Sequence, residues 1–374
     1  MAGSRFPGKL ALQQRVLTDY RAAFFESLAQ VCDGGLSVCA GLPRPEESLA
    51  ITDRINLADF TLVGNIHLLK GSYYVCYQRG LLGWLKACSP DALIVEANPR
   101  YLSTPAAVRW MKSLGRPVLG WGLGSPALSE SLSSLRISMR LSFLLQFDGL
   151  LTYSHRGADE YAALGFPAEK IFVAPNAAVA RPSYPNPSRP ATIIDKPTIL
   201  FVGRLQARKR LDLLLQACAS LPVNLQPHLV IVGDGPERGN LEAIAQAIYP
   251  LAEFAGARHG PELAAFFTAA DLFVLPGTGG LAVQEAMSYG LPVIMGQGDG
   301  TNEDLVRPEN GWQIPPDNLT ALKEALLLAL SDVPQLRRLG AESYRIVAEE
   351  INLEKMAGAF VTAINSVRER KDAG

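Results

Sequence analysis

The chain has 374 residues, 48% of them hydrophobic and 19% charged, which excludes a disordered chain and leaves room for two domains. Its formal net charge of −1 gives no bulk attraction to nucleic acid. No run reaches the ~18 uncharged apolar residues of a membrane span, and the opening Met-Ala-Gly-Ser-Arg-Phe-Pro has no secretory apolar core. The expectation is a cytoplasmic protein, bound to the inner face of a membrane at most peripherally.

Residues 1–185 hold 18 Lys+Arg against 14 Asp+Glu, and the remainder 17 against 22. A mildly basic first half suits an anionic acceptor or a membrane surface; an uneven solvated surface is the plainer account. Cys32, Cys39, Cys76, Cys88 and Cys218 form no C-x-x-C pair and read as free thiols.

Taken in chain order, short apolar runs alternate with helical patterns, the rhythm of a parallel-sheet α/β protein. Strands are predicted at residues 10–12, 36–40, 73–77, 92–95, 117–121, 149–152 and 171–174. Helices are predicted at 20–31, where Phe24, Phe25 and Leu28 share a face, and at 104–114. Five prolines within 181–197 oppose helix and ladder alike, so this stretch reads as a linker. A second series places strands at 198–202, 228–232, 252–255, 272–275, 292–295 and 312–314, and residues 318–370 read as nearly all helix. The predicted organisation is an N-terminal domain 1–180, the linker 181–197, a C-terminal domain 198–350, and a last helix 351–374 that could pack back on the first domain. Two doubly wound domains bind ligands at the carboxyl ends of their strands, so the strand-to-helix turns are where chemistry is sought.

Three turns stand out. In residues 201–210, Gly203 turns the chain after a strand, and Arg204, Arg208, Lys209 and Arg210 crowd a helix start. Cations there oppose the helix dipole, so a bound anion such as a diphosphate accounts for them better than a solvated basic turn. Arg204 can fork onto phosphate oxygens and Lys209 supplies a point charge. In residues 275–287, Gly277, Gly279 and Gly280 precede an apolar helix whose bare amides would form an anion site. Glu285, inside that helix, suits ribose hydroxyls or is an ordinary helix acid. The third turn, Gly-Asp-Gly-Pro at 233–236, lacks dinucleotide-fingerprint spacing and is explained by a tight strand-to-helix turn.

The order and spacing of these turns over 197–330 resemble the C-terminal domain of retaining glycosyltransferases of family 4. The matching stretches are Gly203–Lys209, Gly233–Pro236, Phe254–Gly256, Ala270–Leu275 and Pro276–Ile294, with Asn310-Gly311 at the later turn. The resemblance implies a GT-B fold, two Rossmann-like domains facing a central cleft. It also implies a nucleoside-diphosphate sugar as co-substrate and no other cofactor; since the sequence has no Asp-x-Asp and only four scattered histidines, no metal is expected. Arg204 and Lys209 would hold the diphosphate and act in catalysis. Gly203 would shape the turn, and Gly277, Gly279, Gly280 and Leu281 would line the site and offer amides. Glu285 would bind ribose, and Gly256 and Arg258 would lie near the base. The first half is similar more loosely: Tyr20-Arg21 with Phe24-Phe25 look like one branch's opening helix.

The family often carries two glutamates at E-x7-E, the first touching donor-sugar hydroxyls; here Gly277 stands eight positions before Glu285. That departure suggests altered sugar selection. Family members can carry a histidine near the turn 121–124, where Leu123 stands here. On the acceptor side, Glu96 and Asn98 end a predicted strand and Trp121 ends the next; a capping or loop role is an equal account. The run Leu81-Leu82-Gly83-Trp84-Leu85-Lys86 reads as core, with membrane contact as the alternative. The expected reaction is transfer to a sugar, lipid-linked or small-molecule hydroxyl acceptor with retention. A nucleotide-sugar epimerase and a catalytically impaired pseudo-glycosyltransferase that binds nucleotide or a partner subunit are the alternatives.

Overall fold

The computed structural model describes residues 4–47, 49–52, 54–125, 133–193, 195–298 and 300–372. The chain forms two compact units, Met1–Ala178 with Leu353–Gly374, and Val179–Asn352.

The strands of the first unit are β1 (Leu10–Val16), β2 (Leu36–Gly41), β3 (Asp59–Leu62), β4 (Gly64–Leu68), β5 (Val75–Arg79), β6 (Ala92–Glu96), β7 (Val118–Gly122), β8 (Gly149–Thr152) and β9 (Ile171–Val173). Its helices are α1 (Ala22–Ala29), α2 (Leu81–Cys88), α3 (Thr104–Ser113), α4 (Ser133–Leu144) and α5 (His155–Ala163). Seven strands form one parallel sheet in the order β3-β2-β1-β6-β7-β8-β9. Successive side chains of a strand face opposite sides. Leu10, Leu12, Ala92 and Ile94 therefore pack into one core with α1 and the C-terminal helix. Ala11, Leu93 and Val95 enter a second core with α2 and α3. Both faces are covered, which is why these strands read as continuous apolar runs.

Two expectations need correction here. The predicted strand 73–77 is β5, but it pairs antiparallel with β4 in a separate two-stranded ribbon and not with the parallel sheet. Its partner, an alternating polar–apolar stretch beside β3, carried too weak an apolar run to read. The helix predicted from residue 20 opens as a 3₁₀ turn, Asp19–Arg21, before α1 begins. Leu81, Trp84 and Leu85 of α2 are buried, so the 81–86 run is core.

The second unit holds β10 (Thr198–Val202), β11 (His228–Val232), β12 (Ala252–Gly256), β13 (Leu272–Leu275), β14 (Val293–Gly296) and β15 (Gly311–Ile314). Its helices are α6 (Leu211–Ala219), α7 (Arg238–Ile248), α8 (Gly260–Ala269), α9 (Leu281–Ser288), α10 (Thr301–Leu305), α11 (Leu319–Ser331) and α12 (Val333–Glu349). The sheet is wholly parallel in the order β12-β11-β10-β13-β14-β15. Strand order reverses between β10 and β13, and in the first unit between β1 and β6; such switch points open a crevice at the strands' carboxyl ends.

The proline-rich stretch carries no helix or strand among its described residues, and it belongs to the second unit. Arg189 fastens it by donating to the carbonyls of Phe267, Ala270, Tyr289 and Gly290 at 2.8–3.2 Å. The C-terminal helix α13 (Leu353–Asp372) packs on the first unit. Met356, Phe360, Ile364 and Val367 recur at helical spacing on its buried stripe, and the Phe360 ring meets Phe24 and Trp121 edge-on at 4.9 Å each.

Candidate functional site

In the second unit the predicted residues converge at the β10/β13 switch point. Three glycine turns stack backbone on backbone across the ends of β10, β11 and β12. The Gly203 amide donates to the Val232 carbonyl at 3.0 Å, the Leu205 amide to Asp234 at 2.9 Å, and the Gly233 amide to Gly256 at 2.9 Å. A Cβ on Gly233 would collide with the Gly203 carbonyl, and one on Gly235 would stand 2.7 Å from the Leu205 nitrogen. The Gly-Asp-Gly-Pro turn thus supports the Arg204 turn from beneath.

From that platform Arg204 projects into solvent, with no hydrogen-bond or ion-pair partner among the described residues. Lys209 is only 9% exposed. Its ammonium donates to the Thr278 carbonyl at 2.7 Å. Burial, and then the charge of Arg208, bring Lys209 down to about 8. Arg208 also reaches Thr278, donating to its hydroxyl at 3.3 Å. Arg210 is spent on structure: it sits at φ 55° before α6 and pairs with Asp212 and Asp317.

Gly279, at φ 112°, is a position where a Cβ would crowd the Lys209 ammonium. Gly280 precedes α9, whose N-terminus no side chain caps. The first N–H groups of a helix lack intrahelical acceptors and carry positive potential, so Leu281 and its neighbour add to the charge of Lys209. Glu285 lies one turn further on. Burial raises its carboxyl above the usual range, and no cation or donor pairs with it among the described residues. Gly256 ends β12 at φ 74° and the exposed Arg258 follows.

Gly277 needs a different account. A Cβ there would stand 2.6 Å from Lys209 Cα and closer still to the Arg208 carbonyl oxygen. The position faces the 208–209 backbone, so the glycine seats one turn on the other.

The first unit brings Glu96, Asn98 and Trp121 to the wall of one cavity of about 430 Å³, with Arg100, Tyr153 and Tyr161. Glu96 ends β6 at the switch point. Its carboxylate accepts the Arg15 amide at 2.5 Å, and its own amide donates to Gln13 at 3.1 Å. Burial dominates and pushes the carboxyl up to about 7, against the opposing pull of Arg15 and Arg21. The Asn98 side chain accepts the Arg100 amide at 3.1 Å, a loop bond. Trp121 also lines this cavity, but its side chain is 1% exposed and packed among Phe24, Tyr153 and Phe360.

Two arginines of this unit were given no site role by the sequence. Arg21, 7% exposed, lies over the rings of Tyr20, Trp121 and Tyr153 at 5.1–5.2 Å, and no carboxylate pairs with it among the described residues. Arg15 forms an ion pair with Glu47 at 2.8 Å. Burial alone would raise Glu47, but Arg15 and Arg44 hold it down at about 2. Among the described residues no group of His, Cys, Asp or Glu is arranged to hold a metal ion, and no helix is long and apolar enough to cross a membrane.

Two parallel α/β units with these turns define a GT-B fold. The lipopolysaccharide outer core galactosyltransferase WaaB in its apo form superposes with TM-score 0.69 at 18% identity, covering 96% of this chain and 99% of that one. Residues 187–346 match the family of glycosyl transferases group 1, and the second unit is a domain of that family. A GDP-mannose-dependent alpha-mannosyltransferase of Mycobacterium tuberculosis is 44% identical over 124 residues, 32% of this chain and 30% of the relative. One from Mycolicibacterium smegmatis is 36% identical over 156 residues, 41% of this chain and 39% of the relative. The matched stretch thus spans less than half the length of these relatives.

Proposed function

We propose that the chain is a retaining glycosyltransferase that moves a sugar from a nucleoside-diphosphate sugar to a hydroxyl acceptor without a metal. The observation that carries this reading is the β10/β13 switch point. Arg204, without a partner among the described residues, a buried Lys209 and the start of α9 concentrate positive potential there, one helical turn from Glu285, which likewise has no partner among the described residues. Arg204 and Lys209 bind the diphosphate and offset the charge that develops as its bond to the anomeric carbon breaks. Gly279, Gly280 and Leu281 bring backbone amides to the same oxygens. Glu285 accepts from ribose hydroxyls, and Gly256 and Arg258 flank the base. The acceptor oxygen attacks on the face the diphosphate leaves, and a phosphate oxygen takes its proton, so the scheme needs no protein nucleophile. The acceptor binds the first unit, where Glu96 stands in its cavity.

The mannosyltransferase relatives make GDP-mannose the first donor to test. A panel of nucleoside-diphosphate sugars is screened by thermal shift, since ligands that bind only the folded state raise its apparent stability. Transfer and donor hydrolysis are then measured in excess EDTA. Full turnover in EDTA is expected. Activity abolished by EDTA and restored by magnesium or manganese overturns metal independence, and nucleotide binding with neither transfer nor hydrolysis across donors and acceptors overturns the enzymatic reading. Product anomers resolved by NMR test retention.

A further inference from the structure

The β4–β5 ribbon turns its apolar face outward. Cross-strand partners share a face, and the register pairs Gly64 with Arg79, Ile66 with Tyr77 and Leu68 with Val75 on one side, Asn65 with Gln78 and His67 with Cys76 on the other. The polar side faces the protein. Asn65 donates to the Arg15 and Leu42 carbonyls at 2.7 and 2.9 Å, Gln78 to the Gln14 carbonyl at 2.9 Å, and the His67 ring meets the Tyr74 hydroxyl at 2.8 Å. A slip of one residue would exchange the faces, and these bonds forbid it.

Ile66, Leu68 and Tyr77 are consequently exposed, and at the tip Leu69 and Tyr73 are 67% and 78% exposed. A solvated strand pair ordinarily alternates the other way. A continuous exposed apolar patch marks an interaction surface.

Charge identifies what the patch meets. Residues 60–90 contain Lys70, Arg79 and Lys86 and no Asp or Glu, and Arg79 lies on the outward face by register. Tyrosine rings and a lysine beside exposed leucines match a bilayer interface, where the rings sit at headgroup depth and the lysine stem lies along apolar surface. A groove of about 580 Å³ lined by Leu17, Leu42, Ile51, Phe60 and Leu62 adjoins the ribbon at Leu42, which anchors Asn65. We infer that the first unit docks on an anionic lipid surface through this ribbon, Ile66, Leu68, Leu69, Tyr73 and Tyr77 entering the interface while Lys70 and Arg79 meet headgroup phosphates.

The test is co-sedimentation of the full chain with vesicles of phosphatidylcholine and phosphatidylglycerol in equal parts, and with phosphatidylcholine alone. It needs no turnover, so its outcome is separate from that of the donor reading. Binding to the anionic vesicles is expected, weakened by salt. Lys70→Glu changes the net charge by two and is expected to weaken it about 25-fold, taking roughly fivefold per charge near the surface. The pair Leu68→Ser with Tyr73→Ser is expected to weaken it at least as much, while Leu328→Ser, an exposed leucine of α11, leaves it unchanged. Unfolding temperatures measured alongside confirm that the variants fold. The proposal is overturned by absence of vesicle binding, by binding that the ribbon variants leave intact, or by a dimer in sedimentation equilibrium that these variants dissociate.

Discussion

The ammonium of Lys209 donates to the Thr278 carbonyl at 2.7 Å, joining the turn after β10 to the turn after β13 across the switch point. The lysine gives up hydration to sit there, and burial and Arg208 bring it to about 8. An arriving diphosphate favours the protonated form. Affinity for a nucleoside diphosphate is therefore expected to fall as pH rises through about 8. Stability moves the other way: between about 8 and the ordinary 10.5 the unfolded chain keeps a proton that the folded one has released, so the second unit gains stability as pH rises there. Calorimetric titration of wild type and Lys209→Met at pH 7 and above 9 checks this. The variant is expected to bind more weakly at pH 7 by ~1.5–3 kcal/mol, with a flat pH profile, and both it and Arg204→Ala to lose at least ~100-fold in turnover. A wild-type affinity indifferent to pH across 8 removes Lys209 from the phosphate site.

Gly277 makes a second prediction about the same pair of turns. Its missing Cβ leaves room for the 208–209 backbone. Gly277→Ala is expected to push the turns apart and cost about 1–3 kcal/mol of stability, the scale of overpacking. Gly277→Glu is expected to lower donor affinity, even though it restores the residue that the family often has. Denaturant unfolding and nucleotide titration of both variants read this out; a stable Gly277→Glu protein with tighter sugar binding would show that the position faces the sugar after all.

Glu285→Gln is expected to weaken nucleotide binding by ~1–3 kcal/mol if a charged acceptor for ribose hydroxyls is lost. Because the carboxylate is half-buried with no partner among the described residues, removing its charge is also expected to stabilise the apo protein slightly. A ribose analogue without the hydroxyls separates the two effects: it should bind wild type and variant equally. Unchanged affinity for the complete nucleotide would exclude Glu285 from the site.

How far the chain could be read follows from which signals are local. The parallel strands of the second unit and its glycine turns are legible because apolar runs, Gly and Pro act within a few residues of themselves, and the GT-B fold is legible only through the family resemblance that the turns carry. The site's convergence follows from topology once β10 and β13 are neighbours. What could not be read depends on distant partners. The ion pair of Arg15 and Glu47 joins residues 32 apart, and the bond from Arg15 to Glu96 joins residues 81 apart. Trp121 lies near the end of β7, and alternation turns its ring toward Phe24 and Phe360, rings from opposite ends of the chain. The environment of Gly277 is set by backbone nearly 70 residues earlier, and no local pattern encodes that.

The last prediction concerns Glu96. Its carboxyl is raised from 4.5 to about 7, chiefly because burial disfavours the anion. Below 4.5 both folded and unfolded chains hold this proton, and the contribution to stability is fully present. Between 4.5 and about 7 only the folded chain holds it, so stability falls with rising pH; above about 7 the anion is buried and the loss is complete. A shift of that size corresponds to roughly 3 kcal/mol, at 1.36 kcal/mol for each pH unit. Glu96→Gln keeps an oxygen that can accept the Arg15 amide and removes the charge. It is expected to leave stability near that of wild type at pH 4.5 and to raise it by a few kcal/mol at pH 8, read from urea unfolding of the full chain at the two values. If Glu96 also holds the acceptor, the same variant raises the acceptor KM while donor affinity is untouched. A variant whose stability gain is equal at both pH values would mean that packing, and not the buried charge, sets the energetics of this position.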